Sequence, residues 1–290
     1  MNGTVKQLTV ISGKGGTGKT TVLASFAALA EDKVMADCDV DAANLHLVLT
    51  PTVIESGDFY GAQIAVRDDG LCHQCGECER RCRFDAITTT DIDELACEGC
   101  GMCAVVCPNG ALHMETVSCG EWYLSETDYG PMAHAHLSPA AESSGRLVTM
   151  VRQKAEDTAA ERDLPLILID GAPGIGCTAA AALADVDLAL VVTEPTLSGI
   201  HDMERVVQLS GHFGIPVTVM INKADLNAEN TRRIRNYCVE NRFELLGELP
   251  YDESVTEAMA HQVPLVEYQD GPVTQGIRQA WSRLSQMLSA

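Results

Sequence analysis

Short apolar runs alternate along this chain with longer stretches of helical periodicity. Residues 7–12 (QLTVIS), 33–38 (KVMADC), 164–169 (LPLILI), 186–192, 216–221 and 243–249 are continuous in apolar character rather than alternating. Such runs predict strands buried on both faces. Residues 20–30, 145–161, 178–184, 201–213 and 231–241 predict helices between them. A last helix over 273–288 places Ile277, Trp281, Leu284 and Leu288 on one face. Strands and helices in alternation predict an α/β fold, with a mostly parallel sheet covered by helices on both faces. Two stretches break the pattern. Residues 61–115 are rich in cysteine, glycine and charge and predict a small inserted α+β domain, its halves repeating a strand-like segment at 84–88 (FDAIT) and 109–113 (NGALH). Residues 119–144, rich in Gly, Pro, His and Ser, predict irregular structure. The expected organisation is one domain made of 1–60 and 116–290, interrupted by 61–115.

A chain of 290 residues accommodates a domain with an insertion. Its formal net charge of −21 argues against binding nucleic acid, or an anionic membrane, through a basic face. No apolar run reaches membrane-spanning length, so no stable membrane insertion is expected. The start of the chain shows no signal-peptide pattern, and the expected compartment is the cytoplasm.

The loop after the first strand reads Gly13-Lys14-Gly15-Gly16-Thr17-Gly18-Lys19-Thr20, a match to G-x4-G-K-[ST] between a strand and a helix. Backbone N–H groups of such a loop close around phosphate oxygens at a helix N-terminus. Lys19 is expected on the β- and γ-phosphates and Thr20 on Mg²⁺, with Thr21 completing the nucleotide-binding stretch. Carboxylates follow two strands, Asp37 and Asp39 after one and Asp170 after another. A carboxylate at a strand's carboxyl end can orient or deprotonate a water. It can also simply cap a helix.

Eight of the twelve cysteines fall in two runs of identical C-x2-C-x2-C-x3-C spacing: Cys72, Cys75, Cys78, Cys82, then Cys97, Cys100, Cys103, Cys107. This spacing wraps three thiolates around one iron–sulfur cubane and sends the fourth to the other. The expected ligand sets are Cys72, Cys75, Cys78 and Cys107 for one [4Fe–4S] cluster, and Cys82, Cys97, Cys100 and Cys103 for the second. Pro108 follows the second run as in the bacterial ferredoxin pattern, whereas Arg83 stands where the first would have proline. Zinc sites more often use two separated C-x2-C pairs. The thiolate ligands must stay reduced.

The early lysine of KGGTGKT resembles the signature lysine of the deviant Walker A P-loop ATPases, the group of the MinD/ParA proteins and the nitrogenase iron protein. Asp37-Cys38-Asp39-Val40-Asp41 resembles their switch I, and Asp170-Gly171-Ala172-Pro173-Gly174 their Walker B and switch II segment. The resemblance implies ATP and Mg²⁺ as ligands and slow ATP hydrolysis. It implies that Lys14 reaches phosphate across a dimer, that Asp39 positions the attacking water and contributes near Mg²⁺ with Asp37 and Asn44 in support, and that Asp170 holds Mg²⁺. After a strand, Asn222-Lys223-Ala224-Asp225 looks like a base-recognition loop with Asn222 toward adenine. Residues 129–147 and 193–202 narrow the resemblance to MinD-like ATPases carrying an inserted ferredoxin domain.

That branch implies a homodimer, or a heterodimer with a similar ATPase, and a redox or metal-centre protein as partner. The expected function is nucleotide-driven change in the dimer or its switches, coupled to electron transfer or metal-centre chemistry. The alternatives are an iron–sulfur cluster or metal carrier and a MinD-like spatial-positioning ATPase. Cys38 and Cys238 read as buried thiols. Cys177 resembles the cysteine that ligates an intersubunit cluster in the nitrogenase iron protein, a possible third-cluster ligand with Cys119 its one loose companion. His134 and His136 raise a partner or small-ligand site, against the plainer reading of hydrogen-bonded loop histidines.

Overall fold

The computed structural model describes residues 5–138 and 144–289. Two compact units divide the chain. The first comprises Met1–Ser56, Trp122–His136 and Ser144–Ala290; the second comprises Gly57–Glu121 and Leu137–Ser143. Composition alone placed the inserted segment more narrowly, at 61–115.

In chain order the elements are β1 (Lys6–Ile11), α1 (Lys19–Leu29), β2 (Lys33–Asp37), α2 (Leu45–Leu49) and β3 (Thr52–Arg67). Then come α3 (Glu77–Arg81), α4 (Met102–Val106), β4 (Leu112–Thr127), β5 (Gly130–Leu137), α5 (Ser144–Glu161) and β6 (Leu166–Asp170). The chain continues with α6 (Cys177–Leu183), β7 (Leu188–Thr193), α7 (Leu197–His212), β8 (Val217–Ile221), α8 (Ala228–Asn241) and β9 (Glu244–Glu248). It closes with α9 (Ser254–Ala260), α10 (Leu265–Tyr268) and α11 (Pro272–Ser289).

The sheet runs β3-β4-β5-β2-β6-β1-β7-β8-β9. The pairs β2–β5, β2–β6, β1–β6, β1–β7, β7–β8 and β8–β9 are all parallel. Parallel strands require crossovers, and the intervening helices cover the sheet. Along β7 the side chains divide by parity. Leu188, Leu190 and Val192 join one core with Phe26 of α1 and Ile277 and Leu284 of α11. Ala189 and Val191 join the other with Met203 and Val206 of α7 and Ile234 of α8. Burial on both faces is why these strands read as unbroken apolar runs. Helix starts are fixed locally: Thr196 Oγ1 accepts from Gly199 N–H at 2.9 Å ahead of α7, and Asn227 Oδ1 from Asn230 N–H at 2.9 Å ahead of α8.

Three expectations fail. Much of 119–144 is strand, not irregular: β4 and β5 occupy it, joined through Asp128 and Tyr129. Met132, Ala133 and Ala135 are buried in β5, so the small and polar residues there serve a paired strand rather than a loop. Residues 139–143 of that stretch lie outside the described residues. Segment 84–88 carries only an isolated bridge, Ile87 with Ile92. In 109–113 a turn precedes the start of β4. The paired repeat of the second unit lies elsewhere. Cys75-Gly76 leads into α3 and Cys100-Gly101 into α4, each glycine left-handed (φ 73° and 72°), and α3 packs on α4. Missing from the sequence reading are β3, largely exposed in its first half, and the short helices α2, α9 and α10.

The ring of Phe26, fully buried, lies 5.2 Å from that of Trp281 and joins α1 to α11. Phe26→Ala is expected to cost about 3–5 kcal/mol, read as a lower denaturation midpoint in guanidinium.

Candidate functional site: a phosphate-binding loop and two cysteine-lined cavities

Parallel pairing brings the carboxyl ends of β1, β2, β6, β7 and β8 to one edge, where ligands bind in open α/β sheets. The glycine loop leaves β1 there. Gly18 has φ 94°, and a Cβ on it would lie 2.4 Å from Asn222 Nδ2, so glycine is required on both counts. Asn222 Nδ2 donates to Thr17 O at 2.8 Å, and Asn222 Oδ1 accepts from Lys223 N–H at 2.9 Å. Asn222 therefore ties the end of β8 to the loop. Gly174 N–H donates to Ser12 O at 2.8 Å, which ties the segment after β6 to the loop's start.

Lys19, Asp37, Asp39 and Asp170 lie buried together where β1, β2 and β6 end. Lys19 Nζ is 3.7 Å from Asp39 Oδ2. Thr20 Oγ1 donates to Asp170 Oδ2 at 2.7 Å. Asp37 and Asp170 are register partners on β2 and β6. Asp37 accepts from Asp39 N–H at 3.1 Å and Leu45 N–H at 3.2 Å. Burial pushes the Asp37 carboxyl up, and repulsion from Asp170 adds to it against those two amides. Burial also raises Asp170, opposed by Lys19 and the Thr20 hydroxyl. Asp39 is raised by burial and held back by Lys19. Among the described residues Asp170 Oδ1 finds no hydrogen-bond partner. A buried carboxylate oxygen left open beside a threonine hydroxyl fits a hard divalent cation, which takes oxygen ligands.

Lys14 is only partly exposed. Its Nζ donates to Thr196 Oγ1 at 3.3 Å and lies 3.9 Å from Glu194 Oε1. Glu194 also holds Lys223 Nζ at 3.7 Å, and Lys223 donates to Gly16 O at 3.3 Å. A cavity of about 400 Å³ opens beside the loop, lined by Gly15, Gly16, Gly18, Lys19, Thr20, Thr21, Asp39, Asn44 and Asn222. Its far wall is Tyr251, Asp252, Val255 and Met259, which sequence reasoning missed. Asp225 holds that wall by accepting from Tyr251 N–H at 2.7 Å. The missed signal is Pro250 directly after a strand, a loop start at the sheet's ligand-binding edge.

In the second unit Cys82, Cys97, Cys100 and Cys103 line one cavity, and Cys72, Cys75, Cys78 and Cys107 line another. Each holds three cysteines of one run and the last of the other. Among the described residues no group of three His, Cys, Asp or Glu side chains closes around a single ion. Four thiols spread around a cavity fit the spacing of a polynuclear cluster, which holds its ligands farther apart than a single ion does. Cys107 Sγ accepts from Ala111 N–H at 3.2 Å. Burial would raise the Cys107 thiol, but the amides of Asn109, Ala111, Leu112 and Gly110 outweigh it and favour thiolate. Burial raises Cys78 and Cys103.

The remaining cysteines separate by burial. Cys38, Cys119 and Cys238 are buried, and Cys177 is exposed at the start of α6. A buried Cys119 is no surface thiol. His134 is half-buried, stacked on Tyr123 with centroids 5.0 Å apart and 2.9 Å from Ser125 Oγ. Burial, then His46, lowers it to about 4, so it is a neutral packing residue.

Residues 8–265 match the CobQ/CobB/MinD/ParA nucleotide binding domain, and the chain belongs to this family. Protein MJ0578 of Methanocaldococcus jannaschii is 30% identical over 293 residues, covering 99% of both chains. The ATP-binding protein MJ0547 of the same organism is 26% identical over 284 residues, covering 96% of this chain and 86% of its own. The septum site-determining protein MinD of Pyrococcus horikoshii, solved with Mg-ADP, superposes with a TM-score of 0.61 at 18% identity, covering 98% and 97% of the two chains. That likeness establishes a shared fold. Among the described residues no helix is long and apolar enough to cross a membrane.

Two outcomes follow for the loop edge. Gly18→Ala should keep the fold, by circular dichroism, and weaken binding of a fluorescent ATP analogue at least about tenfold, about 1.4 kcal/mol. The raised Asp37 and Asp170 hold protons in the nucleotide-free fold that the unfolded chain has released. Their contribution to stability is complete below the ordinary carboxylate range and is lost as pH rises through their folded values. Mg-nucleotide needs ionised Asp170, so the thermal shift it causes should grow from about pH 5 to about pH 8. Asp170→Asn should abolish that growth.

Proposed function

We propose that this chain binds and hydrolyses Mg-ATP at the glycine loop and carries two [4Fe–4S] clusters in its second unit, so that nucleotide state governs electron transfer or metal-centre chemistry on a partner protein. The observation that carries this reading is the sorting of eight cysteines into two cavities, each combining three from one run with the last of the other. When bound, the clusters would supply one-electron transfer. Two complete quartets support resident clusters over a labile carrier site.

In this reading Lys19 and the loop amides hold the phosphates. Thr20 and Asp170 hold Mg²⁺, with Asp39 close to it. Asp39, beside Lys19, orients the attacking water. Lys14 exchanges Glu194 and Thr196 for the phosphates of a second, similar ATPase subunit, whether identical or not. The route from nucleotide to cluster is short along the chain. The segment after Asp39 passes through α2 into β3, which contributes residues to both units and ends at Arg67, close before Cys72. Loss of the γ-phosphate would release the start of this segment, an order–disorder step of the kind P-loop switches use.

Anaerobically reconstituted protein should hold about eight irons per chain. Cys75→Ser and Cys100→Ser should each lose close to half the paramagnetic signal of the reduced form. Asp39→Ala should slow ATP hydrolysis at least roughly a hundredfold while nucleotide still binds. Spectra of the reduced protein that are the same with ATP, with ADP and without nucleotide would leave the two activities uncoupled.

A further inference from the structure

The two cysteine-lined cavities carry opposite electrostatic surroundings. Within Gly57–Glu121 every arginine (Arg67, Arg80, Arg81 and Arg83) falls in the first cysteine run or within a few residues of either end of it, and there is no lysine. From residue 84 to residue 121 the only formal charges are acidic. The cavity of Cys82, Cys97, Cys100 and Cys103 is otherwise walled mainly by Phe84, Ile87, Ile92, Met102 and Met114, with Glu98 as its charged residue. The cavity of Cys72, Cys75, Cys78 and Cys107 has Arg67 and Glu77 in its wall, and Glu77 is paired with both Arg80 and Arg81, so positive charge is in excess on that side.

Arg67 is held in a fixed pose. Its side chain is 13% exposed. Nη1 donates to Thr89 O at 3.2 Å and Nη2 to Thr90 O at 2.6 Å. These carbonyls orient the guanidinium without neutralising it. Nε donates to Asp69 Oδ1 at 2.8 Å, but Asp69 is 83% exposed, and water screens its charge more than that of the partly buried guanidinium. Thiolates at Cys72 and Cys78 are close enough to raise the basicity of Arg67, after the dominant effect of the Asp69 hydrogen bond. Arg80 adds positive charge near Cys75, although Glu77 pairs with it.

We propose that the two cluster sites are inequivalent in potential, with Arg67 the positioning residue that makes the Cys72/Cys75/Cys78/Cys107 site the better electron acceptor. This rests on the two-cluster reading above. Reduction adds one negative charge to a cluster. A fixed cation nearby stabilises the reduced form, and the other cavity has no cation in its wall. The amides on Cys107 act in the same direction as Arg67, since hydrogen bonds to cluster sulfur raise the potential. One electron delivered by a one-electron donor therefore rests on the Arg67 side, and the apolar, acid-lined site is the stronger reductant.

The test is a redox titration of the full-length, cluster-loaded protein with dithionite, followed by paramagnetic resonance. Wild type should show two midpoints. Cys75→Ser should remove the higher wave and Cys100→Ser the lower. Arg67→Met should lower the higher midpoint and leave the lower one in place at unchanged iron content, and Arg67→Lys should restore most of the separation. Should Arg67→Met fail to hold its clusters, Asp69→Asn tests the same charge with opposite sign and should raise the higher midpoint. A single midpoint in wild type, reversed assignment by the cysteine variants, or no shift in either charge variant overturns this inference and leaves the clusters standing. Absence of iron–sulfur absorption in reconstituted wild type would instead overturn the two-cluster reading itself.

Discussion

Three carboxylates and one lysine share the buried carboxyl edge of β1, β2 and β6, and that imbalance governs the first unit. Asp37 and Asp170 are neighbours by strand register, so their proximity cannot be relaxed without breaking the sheet. Buried like charges demand protonation or a cation. Lys19 supplies one positive charge, Thr20 one hydrogen bond, and the upward-shifted pKa values of the buried carboxyls the rest. The open oxygen of Asp170 remains. The edge is therefore built to be completed by a divalent cation with its phosphates, and the tightly held glycine loop is the other half of the same device.

Around this edge the connections are economical. Asn222 clamps the loop from β8, Gly174 from the segment after β6, and Glu194 gathers Lys14 and Lys223 from the end of β7. Each contact comes from a different strand's end, so any change at the phosphates is felt by several segments at once. A further segment, the one after β2 that carries Asp39 beside Lys19, leads through α2 into β3 and on to the first cysteine run. Packed elements of this kind tend to choose between discrete arrangements rather than deform smoothly. This gives the proposed coupling a physical route along the chain.

The second unit follows a different logic. It is small, none of the eight cysteines of its two runs is fully buried, and its two short helices begin at left-handed glycines that turn the chain around each cavity. Symmetry of backbone is set against asymmetry of charge. The repeat makes two similar cavities, and the placement of Arg67 makes them different.

The sequence by itself determined the layering of the sheet and the nucleotide-binding loop. Unbroken apolar runs can only be strands covered twice, the glycine loop between strand and helix is a local device, and the cysteine spacings are short enough to be read directly. Local spacing could not reveal what depends on distant pairing. Residues 119–144 looked irregular because small and polar residues dominate the end of β4 and β5, and β2, which β5 joins to enter the parallel sheet, lies far away in the chain. The 250–259 wall of the nucleotide cavity carries no motif, and only the sheet's order brings it opposite the glycine loop. Glu194 had no visible role until Lys14 and Lys223 converged on it. Arg67 ends a strand that the sequence pattern did not show, and its place in the wall of one cavity and not the other was decided by tertiary structure. Motifs state which atoms are available; register and packing decide which charges must share a low-dielectric space, and there the energy of each depends on its neighbours.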